Sequence, residues 1–542
     1  METVITRTKL TSDLTALFKR GEVYADSWST EVRRQLNVED PLVDLVAKRL
    51  DDGWHVVITG NAGDGKSHLV VTAGELARNQ RVEVEADDQR PKPLTSEHRL
   101  FIRDAATLDD EAILAWTAAA QSAGAQLVIT LNEGPLTSLA ARQGQGFYEE
   151  VRRVAHARAR GEDESDPEGV LILNLAGRQL VYADFVAQAL ARLLPAVVPC
   201  DTCHDDQRCP RTAGRDLLSE SEEAVSRLTF LLRLLGQSGM RLTARELWTF
   251  LSDLFFGWTC PTGSRDVDKL PGWWWGRVFE RSSAIGRAIG REFDPIRAAD
   301  ANVDSRLWLG DASGLGIPER TPLLTPRNLH GAHPADALGA FASAKRAWFF
   351  LTPSIDAEKM IDRQSQIPKY AQLIEEADSV GQRAVQRMIL MINGHRLKIN
   401  ESRQLYLSRH HRLTAISRPS LIAASETAKA DDLQVMLPYH AEAHGISDAG
   451  FRPTRVELSW KGGRGAVFAV DYQSWLQLKK PRSIYSDREQ EALDTALDLF
   501  IGQAPVSPGF DPEIVAVDHS TGVTTRMTVR GGSNPMFEVA PS

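Results

Sequence analysis

The glycine-rich segment Gly60–Ser67, with the sequence GNAGDGKS, constrains the fold of this chain more than any other feature. It matches the pattern G-x-x-x-x-G-K-[ST] of phosphate-binding loops at every fixed position. The apolar, β-branched run Trp54–Thr59 before it is typical of a buried parallel strand, and apolar residues recur at helical spacing over residues 68–79. Strand, loop and helix in this order direct backbone N–H groups at a phosphate. The segment therefore predicts an α/β nucleotide-binding domain, with a chance glycine-rich turn as the alternative.

The motif also assigns roles to individual residues. Lys66 is expected to reach the β- and γ-phosphates, and the hydroxyl of Ser67 is expected to ligate Mg²⁺. ATP and Mg²⁺ are therefore the predicted ligands of this domain. The predicted nucleotide-binding residues are Gly60, Asn61, Ala62, Gly63, Asp64, Gly65, Lys66, Ser67 and His68.

Polar residues follow two further predicted strands. Asp104 is a candidate to hold Mg²⁺ through water, or else an ordinary helix-capping residue. Asn132 is a candidate to orient the attacking water or to sense the γ-phosphate, and equally the start of a turn. Glu133 is a candidate general base, because Ala105 stands where many ATPases carry a catalytic glutamate. Besides Trp54–Thr59, the predicted strands of the sheet are Arg81–Glu85, Leu100–Asp104, Gln126–Asn132 and Val170–Leu175.

The overall composition is typical of a globular protein that does not span a membrane. The chain has 542 residues, 42% of them hydrophobic and 25% charged, which suits about three globular domains. Its net charge of −9 and pI of about 5.9 give no global support for nucleic-acid binding, although a local basic patch is compatible with them. No apolar run has the length of a membrane span, and the first residues lack a signal-peptide core. We therefore expect a cytoplasmic protein with reduced thiols and no membrane partner.

The four cysteines have a spacing that favours a metal site over disulfides. Cys200, Cys203 and Cys209 form C-x₂-C-x₅-C, and Cys260 supplies a fourth thiolate. Four thiolates in a tetrahedral arrangement suit a structural Zn²⁺. An iron–sulfur cluster and free cysteines are the alternatives, and His204 is an alternative ligand to Cys260.

The motifs together resemble a known family. A phosphate loop, a strand that ends in Asp104 and a strand that ends in Asn132 resemble the ASCE/AAA-like division of P-loop ATPases. More narrowly, the stretches GNAGDGKSHL, RDAATLDD and TLNEGPL resemble the DptF-type ATPases of phosphorothioation-dependent DNA restriction. Leu171–Arg178, the cysteines and Ala469–Phe500 extend the resemblance over most of the chain, with gaps. The chain departs from the family at Arg103 and in a shorter, Trp-rich middle region.

This resemblance implies an ATP hydrolase that works as a motor or switch subunit of a bacterial anti-phage DNA restriction complex. Partner subunits of that complex would engage and cleave DNA. The resemblance also implies a helical lid, in which Arg245 is a candidate second sensor of the γ-phosphate or else a surface arginine. In a homo-oligomer, a neighbouring subunit would complete the site with an arginine, for which Arg152, Arg153 and Arg178 are candidates.

Helical periodicity dominates the region around and after the cysteines. Thr243 and Glu246 fit a capping box. Three adjacent tryptophans at 273–275 cannot all face one core from a regular helix or strand, and they fit either packing beneath a loop or an aromatic surface for a partner. The predicted helices are Gln179–Leu194, Leu217–Leu235, Ala244–Phe255, Ala335–Phe350, Ala357–Gly381 and Arg383–Asn393.

The C-terminal part is predicted to be a small α+β module with two hairpins. The hairpins pair Arg455–Trp460 with Ala466–Asp471 and Glu513–Asp518 with Thr524–Arg530, and a helix covers Ser486–Ile501. Before this module, the basic stretch at 395–418 is a candidate contact for a DNA backbone, or else a solvated face.

The predicted organisation has five parts. They are an N-terminal helical segment (1–45), an α/β P-loop NTPase domain with an AAA-like parallel sheet (46–195), a helical lid with a Cys-rich zinc module (196–265), a mainly helical middle domain (266–440) and the α+β domain (441–542). A slowly hydrolysing regulatory module without direct DNA action is the main alternative to the ATPase motor, and Ala105 favours it. A small-molecule kinase and a scaffold with a vestigial loop are further alternatives.

Overall fold

The structure, a computed structural model, describes most of the chain in two compact units. The first unit lies within Met1–Gly236, Met240–Ser365 and Tyr439–Arg452, and the second within Gln237–Gly239, Gln366–Pro438 and Pro453–Ser542. The predicted middle domain at 266–440 spans both units. The described residues are 36–76, 80–83, 90–102, 105–159, 164–182, 184–199, 209–257, 273–280, 282–311, 313–319, 321, 334–397, 400–407, 421–424, 426–438, 450–462, 467–479, 487–504, 513–518, 524–530 and 536–539.

A parallel sheet organises the first unit. Within the described residues its strands are β1 (His55–Thr59), β2 (Gln80–Glu83), β3 (His98–Ile102), β4 (Gln126–Leu131) and β5 (Val170–Asn174), in the order β2-β3-β4-β1-β5. Every neighbouring pair is parallel, and Val56 lies opposite both Val128 and Leu171. The predicted α/β class with a parallel sheet is thus confirmed. Because the strands are parallel, the residues that follow β1 and β4 meet at one edge of the sheet.

Helices cover both faces of the sheet, so the central strands are buried on two sides. On one face Val57 and Ile129 pack with Trp116 and Tyr148, and on the other Val56 packs with helical residues such as Leu69. This explains why apolar residues dominate β1 and β4. The covering helices are α1 (Pro41–Asp51), α2 (Lys66–Leu76), α3 (Asp110–Ala123), α4 (Glu133–Gln143) and α5 (Phe147–Ala159).

Of the three helices predicted after β5, Ala244–Phe255 is confirmed and the other two differ from the prediction. The predicted helix Leu217–Leu235 is two helices, because the Ser221 hydroxyl accepts the N–H of Ala224 and starts a new one. The predicted helix Gln179–Leu194 begins only after Asp184, which has a left-handed φ of 51°. These helices are α6 (Phe185–Leu193), α7 (Pro210–Ser219), α8 (Glu222–Gln237) and α9 (Ala244–Phe256). The capping box of Thr243 and Glu246 at the start of α9 is confirmed.

The three adjacent tryptophans are all buried, at 5%, 1% and 0% exposure, so they pack in the core and do not form an aromatic surface. Trp273 is extended and the chain turns helical directly after it. Trp273 therefore stacks on Trp275, with ring centroids 4.7 Å apart, while Trp274 packs against Phe350. The remaining helices of the first unit are α10 (Trp274–Arg277), α11 (Ala284–Glu292), α12 (Ala301–Leu309), α13 (Pro334–Leu351) and α14 (Asp356–Gln364).

The second unit begins with two helices, α15 (Ile367–Ser379) and α16 (Gly381–Leu397). The predicted helix Ala357–Gly381 is interrupted at Ser365, because Pro368 fits the first turn of a new helix and not the interior of a long one. Helices α17 (Tyr472–Lys479) and α18 (Asp487–Gly502) follow later in the chain.

The strands of the second unit are antiparallel, and both predicted hairpins are confirmed. The strands are β6 (Gln404–Leu407), β7 (Leu421–Ala424), β8 (Glu426–Lys429), β9 (Leu433–Met436), β10 (Val456–Trp460), β11 (Phe468–Val470), β12 (Glu513–Asp518), β13 (Thr524–Arg530) and β14 (Met536–Val539). In the described residues they form the sheets β11-β10-β9, β14-β13-β12-β7 and β6-β8. The sequence interpretation missed the short strands β6 to β9 and β14.

We expect His55, at the start of β1, to make the first unit less stable in acid. Its Nδ1 accepts the N–H of Leu127 at 3.0 Å, and burial lowers the pKa of its imidazole. The neutral ring is therefore favoured in the folded state, so its contribution is complete above the unfolded pKa of about 6.5 and is lost as the pH falls below that value. Denaturation midpoints of wild type and His55→Gln at pH 7.5 and 5.5 test this. Parallel pH dependences of the two proteins would contradict it.

Candidate functional site

The glycine loop, Gly60–Ser67, connects β1 to α2 at the carboxyl edge of the parallel sheet. Gly60, Gly63 and Gly65 have backbone φ values of 145°, 88° and 88°, which residues other than glycine rarely adopt. These three glycines allow the chain to fold back over the end of β1. Helix α2 starts at Lys66, so the backbone N–H groups of its first turn face the loop.

The ammonium group of Lys66 is held by oxygens of the loop and of a neighbouring strand end. Its Nζ donates to the carbonyl oxygens of Gly60 at 3.1 Å and Asn61 at 2.7 Å. It also donates to Oδ1 of Asn132 at 2.9 Å. The side chain therefore turns back across the loop, with its positive charge at the edge of the sheet.

Asn132 lies between β4 and α4 and occupies the position before the first residue of that helix. Asparagine at this position usually caps the helix with its side chain, but Asn132 does not cap α4. Its carboxamide oxygen instead accepts from Lys66. Because β4 is the neighbour of β1 in the sheet, the strand order brings this amide to the glycine loop. Glu133 is the first residue of α4 and its side chain is exposed.

Asp64 is a buried carboxylate within the glycine loop, with 7% exposure. Its Oδ2 accepts the N–H of Asn61 at 2.6 Å and forms an ion pair with Arg241. Burial raises the pKa of Asp64 above its usual value, while attraction to Arg241 and Lys66 opposes that shift. The loop therefore contains a negative charge that two cations compensate.

The start of α9 packs against the glycine loop. The backbone N–H of Arg245 points at the carbonyl oxygen of Gly63, 3.5 Å away. A Cβ atom added to Gly63 would lie 3.2 Å from Oγ1 of Thr243, a tight contact, and the φ of 88° at this position also favours glycine. The Arg245 backbone, like the side chain of Arg241, thus lies at the loop. Sequence reasoning identified Arg245 but missed Arg241, whose only signal was its place two residues before the helix cap.

Several predicted site residues cannot be placed. Asp104 and Arg103 lie outside the described residues, as do Cys200, Cys203, His204 and Cys260. Cys209 is buried directly before α7. No group of three or more His, Cys, Asp or Glu that could hold a metal occurs in the part of the chain that is described. With three of the four cysteines outside that part, the zinc module stays a prediction.

The candidate arginines have carboxylate partners. Arg178 is 4% exposed in its side chain and makes two hydrogen bonds to Asp40, at 2.7 and 2.8 Å. Asp40 also accepts the N–H of Leu42 and so caps α1. Arg178 thus fastens α1 to the segment after β5. Arg152 and Arg153, on the surface of α5, pair with Glu149 and Glu164, so they are the more accessible candidates.

The described beginning of the basic stretch at 395–418 is paired with acidic residues of α18. His395 lies 3.3 Å from Asp494, and Arg396 forms an ion pair with Asp498 at 2.7 Å. The two carboxylates offset the positive charge of this part of the basic stretch. Residues 398–399 and 408–418 of the stretch lie outside the description, so a DNA contact there stays a prediction.

Replacing Arg178 with Gln should lower the free energy of unfolding by about 3 kcal/mol, because it leaves the partly buried carboxylate of Asp40 without its cation. The matched control is Arg153→Gln, which removes an exposed pair on α5 and should cost at most about 1 kcal/mol. Urea denaturation of the three proteins measures both values. Equal stability of Arg178→Gln and wild type would contradict a structural role for this ion pair.

Comparison with known proteins gives no indication of the function of this chain. Searches with this chain against protein-family models, curated proteins and solved structures find no match. In the described part of the chain, the structure has no helix that is both long and apolar enough to cross a membrane. What can be concluded about function therefore depends on the glycine loop, Lys66, Asn132 and the start of α9.

Proposed function

We propose that this chain is a Mg²⁺-dependent ATPase. The observation that carries the proposal is the contact of Lys66 with Asn132, which joins a glycine loop at a helix N-terminus to the end of the adjacent strand. Backbone N–H groups at a helix N-terminus and a lysine ammonium are the donors that bind the β- and γ-phosphates in phosphate loops. In the bound state Lys66 would exchange its loop carbonyl partners for phosphate oxygens.

The hydrolytic step would use the groups at the sheet edge. Mg²⁺, held by Ser67 and through water by Asp104, would neutralise charge that develops on the phosphates. Asn132 accepts from Lys66 through its oxygen, so its NH₂ group would donate to the γ-phosphate or orient the attacking water. Glu133 is the candidate base on the first turn of α4.

A nucleotide at this loop would also act on α9, because Arg241 and Arg245 belong to the segment that packs against the loop. ATP and ADP differ in charge, and Arg241 brings its own positive charge to this loop. A change of charge there would alter how firmly α9 is held, which is how a nucleotide-driven switch or motor works.

The wider role is proposed from the sequence resemblance alone. The DptF-type pattern supports a subunit of an anti-phage DNA restriction complex, acting in the cytoplasm with partner subunits that engage DNA. A structural Zn²⁺ on Cys200, Cys203, Cys209 and Cys260 belongs to the same proposal.

A slowly hydrolysing regulatory module is the second candidate. The observation that favours it is Ala105, which is 2% exposed at the start of a short 3₁₀ turn and provides no carboxylate after Asp104. Such a module would bind ATP and turn it over slowly without DNA action. Hydrolysis rates measured with and without double-stranded DNA separate the two candidates.

The decisive test compares Lys66→Met, Asn132→Ala and a control, Lys48→Met, on the exposed surface of α1. Lys66→Met should weaken ATP binding by about 100-fold or more, because a buried phosphate loses its cation. Asn132→Ala should retain binding and lower kcat by about 10- to 100-fold. Lys48→Met should match wild type. Titration calorimetry and a phosphate-release assay with Mg²⁺ give the measurements.

The outcomes distinguish the candidates. Absence of ATP binding by wild type would exclude both. Binding with turnover that rises on adding DNA supports the motor, whereas binding with slow turnover that DNA leaves unchanged supports the regulatory module.

A further inference from the structure

The glycine loop contains a negative charge, which opposes its proposed binding of phosphate groups. The carboxylate of Asp64 is 7% exposed and accepts a hydrogen bond from the loop's own Asn61 N–H. A Cβ atom on Gly60 would lie 2.7 Å from the same carboxylate oxygen, so the side chain is enclosed by the loop. A buried anion beside a phosphate site repels the ligand more strongly than an anion in water would.

Arg241 is the cation that meets this carboxylate. Its guanidinium forms an ion pair with Oδ2 of Asp64, and its side chain is 29% exposed. Its Nε is buried without a hydrogen-bond partner among the described residues, so the pair is partly removed from water. Salt and solvent screen such a pair less than a pair on the open surface.

We propose that Arg241 is a positioning residue for nucleotide binding: it neutralises Asp64, so that the charge of Lys66 remains available to the phosphates. The inference rests on the proposed function. Lys66 and Arg241 are positive and Asp64 is negative, and both cations act on this carboxylate. Without Arg241, the negative charge of Asp64 would neutralise the positive charge of Lys66. Since Arg241 lies just before α9, the charge of the loop depends on how that helix is docked.

This role makes a prediction that a purely structural ion pair does not. Repulsion from an uncompensated Asp64 grows with the charge of the ligand, so ATP should lose more affinity than ADP. Removing the carboxylate as well should remove the repulsion. Asp64→Asn should therefore restore binding to a protein that lacks Arg241.

The experiment measures ATP and ADP affinities, by titration of the full chain with Mg²⁺, for wild type, Arg241→Gln, Asp64→Asn and the double variant. Arg142→Gln is the control, because it removes an ion pair with Asp110 at the far end of α4. Arg241→Gln should weaken ATP binding about tenfold or more and ADP binding less. Asp64→Asn alone removes the repelling charge while both cations remain, so it should bind ATP more tightly than wild type. The double variant should return to within about threefold of wild type. Melting curves identify the variants that are folded.

Equal losses for ATP and ADP in Arg241→Gln, or a double variant as weak as Arg241→Gln, would overturn the inference. Binding by Asp64→Asn alone that is weaker than or equal to that of wild type would do the same, since the carboxylate would then not repel the ligand. If wild type binds no nucleotide, the proposed function fails together with this inference. If wild type binds and Arg241→Gln binds equally well, the inference alone fails.

Discussion

Hydrogen bonds from the Lys66 ammonium group to three oxygens organise the candidate site. They connect the carbonyl oxygens of Gly60 and Asn61 to the amide of Asn132, which belongs to a different strand end. This connection exists because β4 lies beside β1 in a parallel sheet, where both strands end at the same edge. The helices on both faces of the sheet, which bury β1 and β4, hold this edge in place. The position of one cation is thus a consequence of the whole first sheet.

Electrostatics extends the site beyond the sheet. Asp64 places a negative charge inside the glycine loop, and Arg241 brings the compensating charge from the segment before α9. The capping box of Thr243 and Glu246 fixes where α9 begins, and the absence of a side chain at Gly63 lets that helix approach. The negative charge of the loop is therefore compensated by a residue that directly precedes the helix. A ligand that changed the charge at the loop would act on the helix through the same contacts.

Local patterns predicted the elements well where each element is long or strongly apolar. The runs around Val57 and Ile129 were recognised as strands because their residues are β-branched and continuous, as burial on both faces requires. The errors arose where a local signal interrupts a periodic pattern. Ser221 and Pro368 each start a new helix within an apolar repeat. The strands β6 to β9 and β14, which the sequence interpretation missed, have four residues each, too few for alternation to be visible.

The sequence by itself determined the glycine loop, the strand that precedes it and the cap of α9, because these depend on residues within a few positions of one another. Glycine positions set the allowed φ values, and Thr243 with Glu246 sets a helix start. Only the tertiary structure decided which charges meet. Arg241 and Asp64 are separated by 177 residues, and Arg178 and Asp40 by 138. No local pattern encodes such pairs, since strand order and helix packing choose the partner of each buried charge.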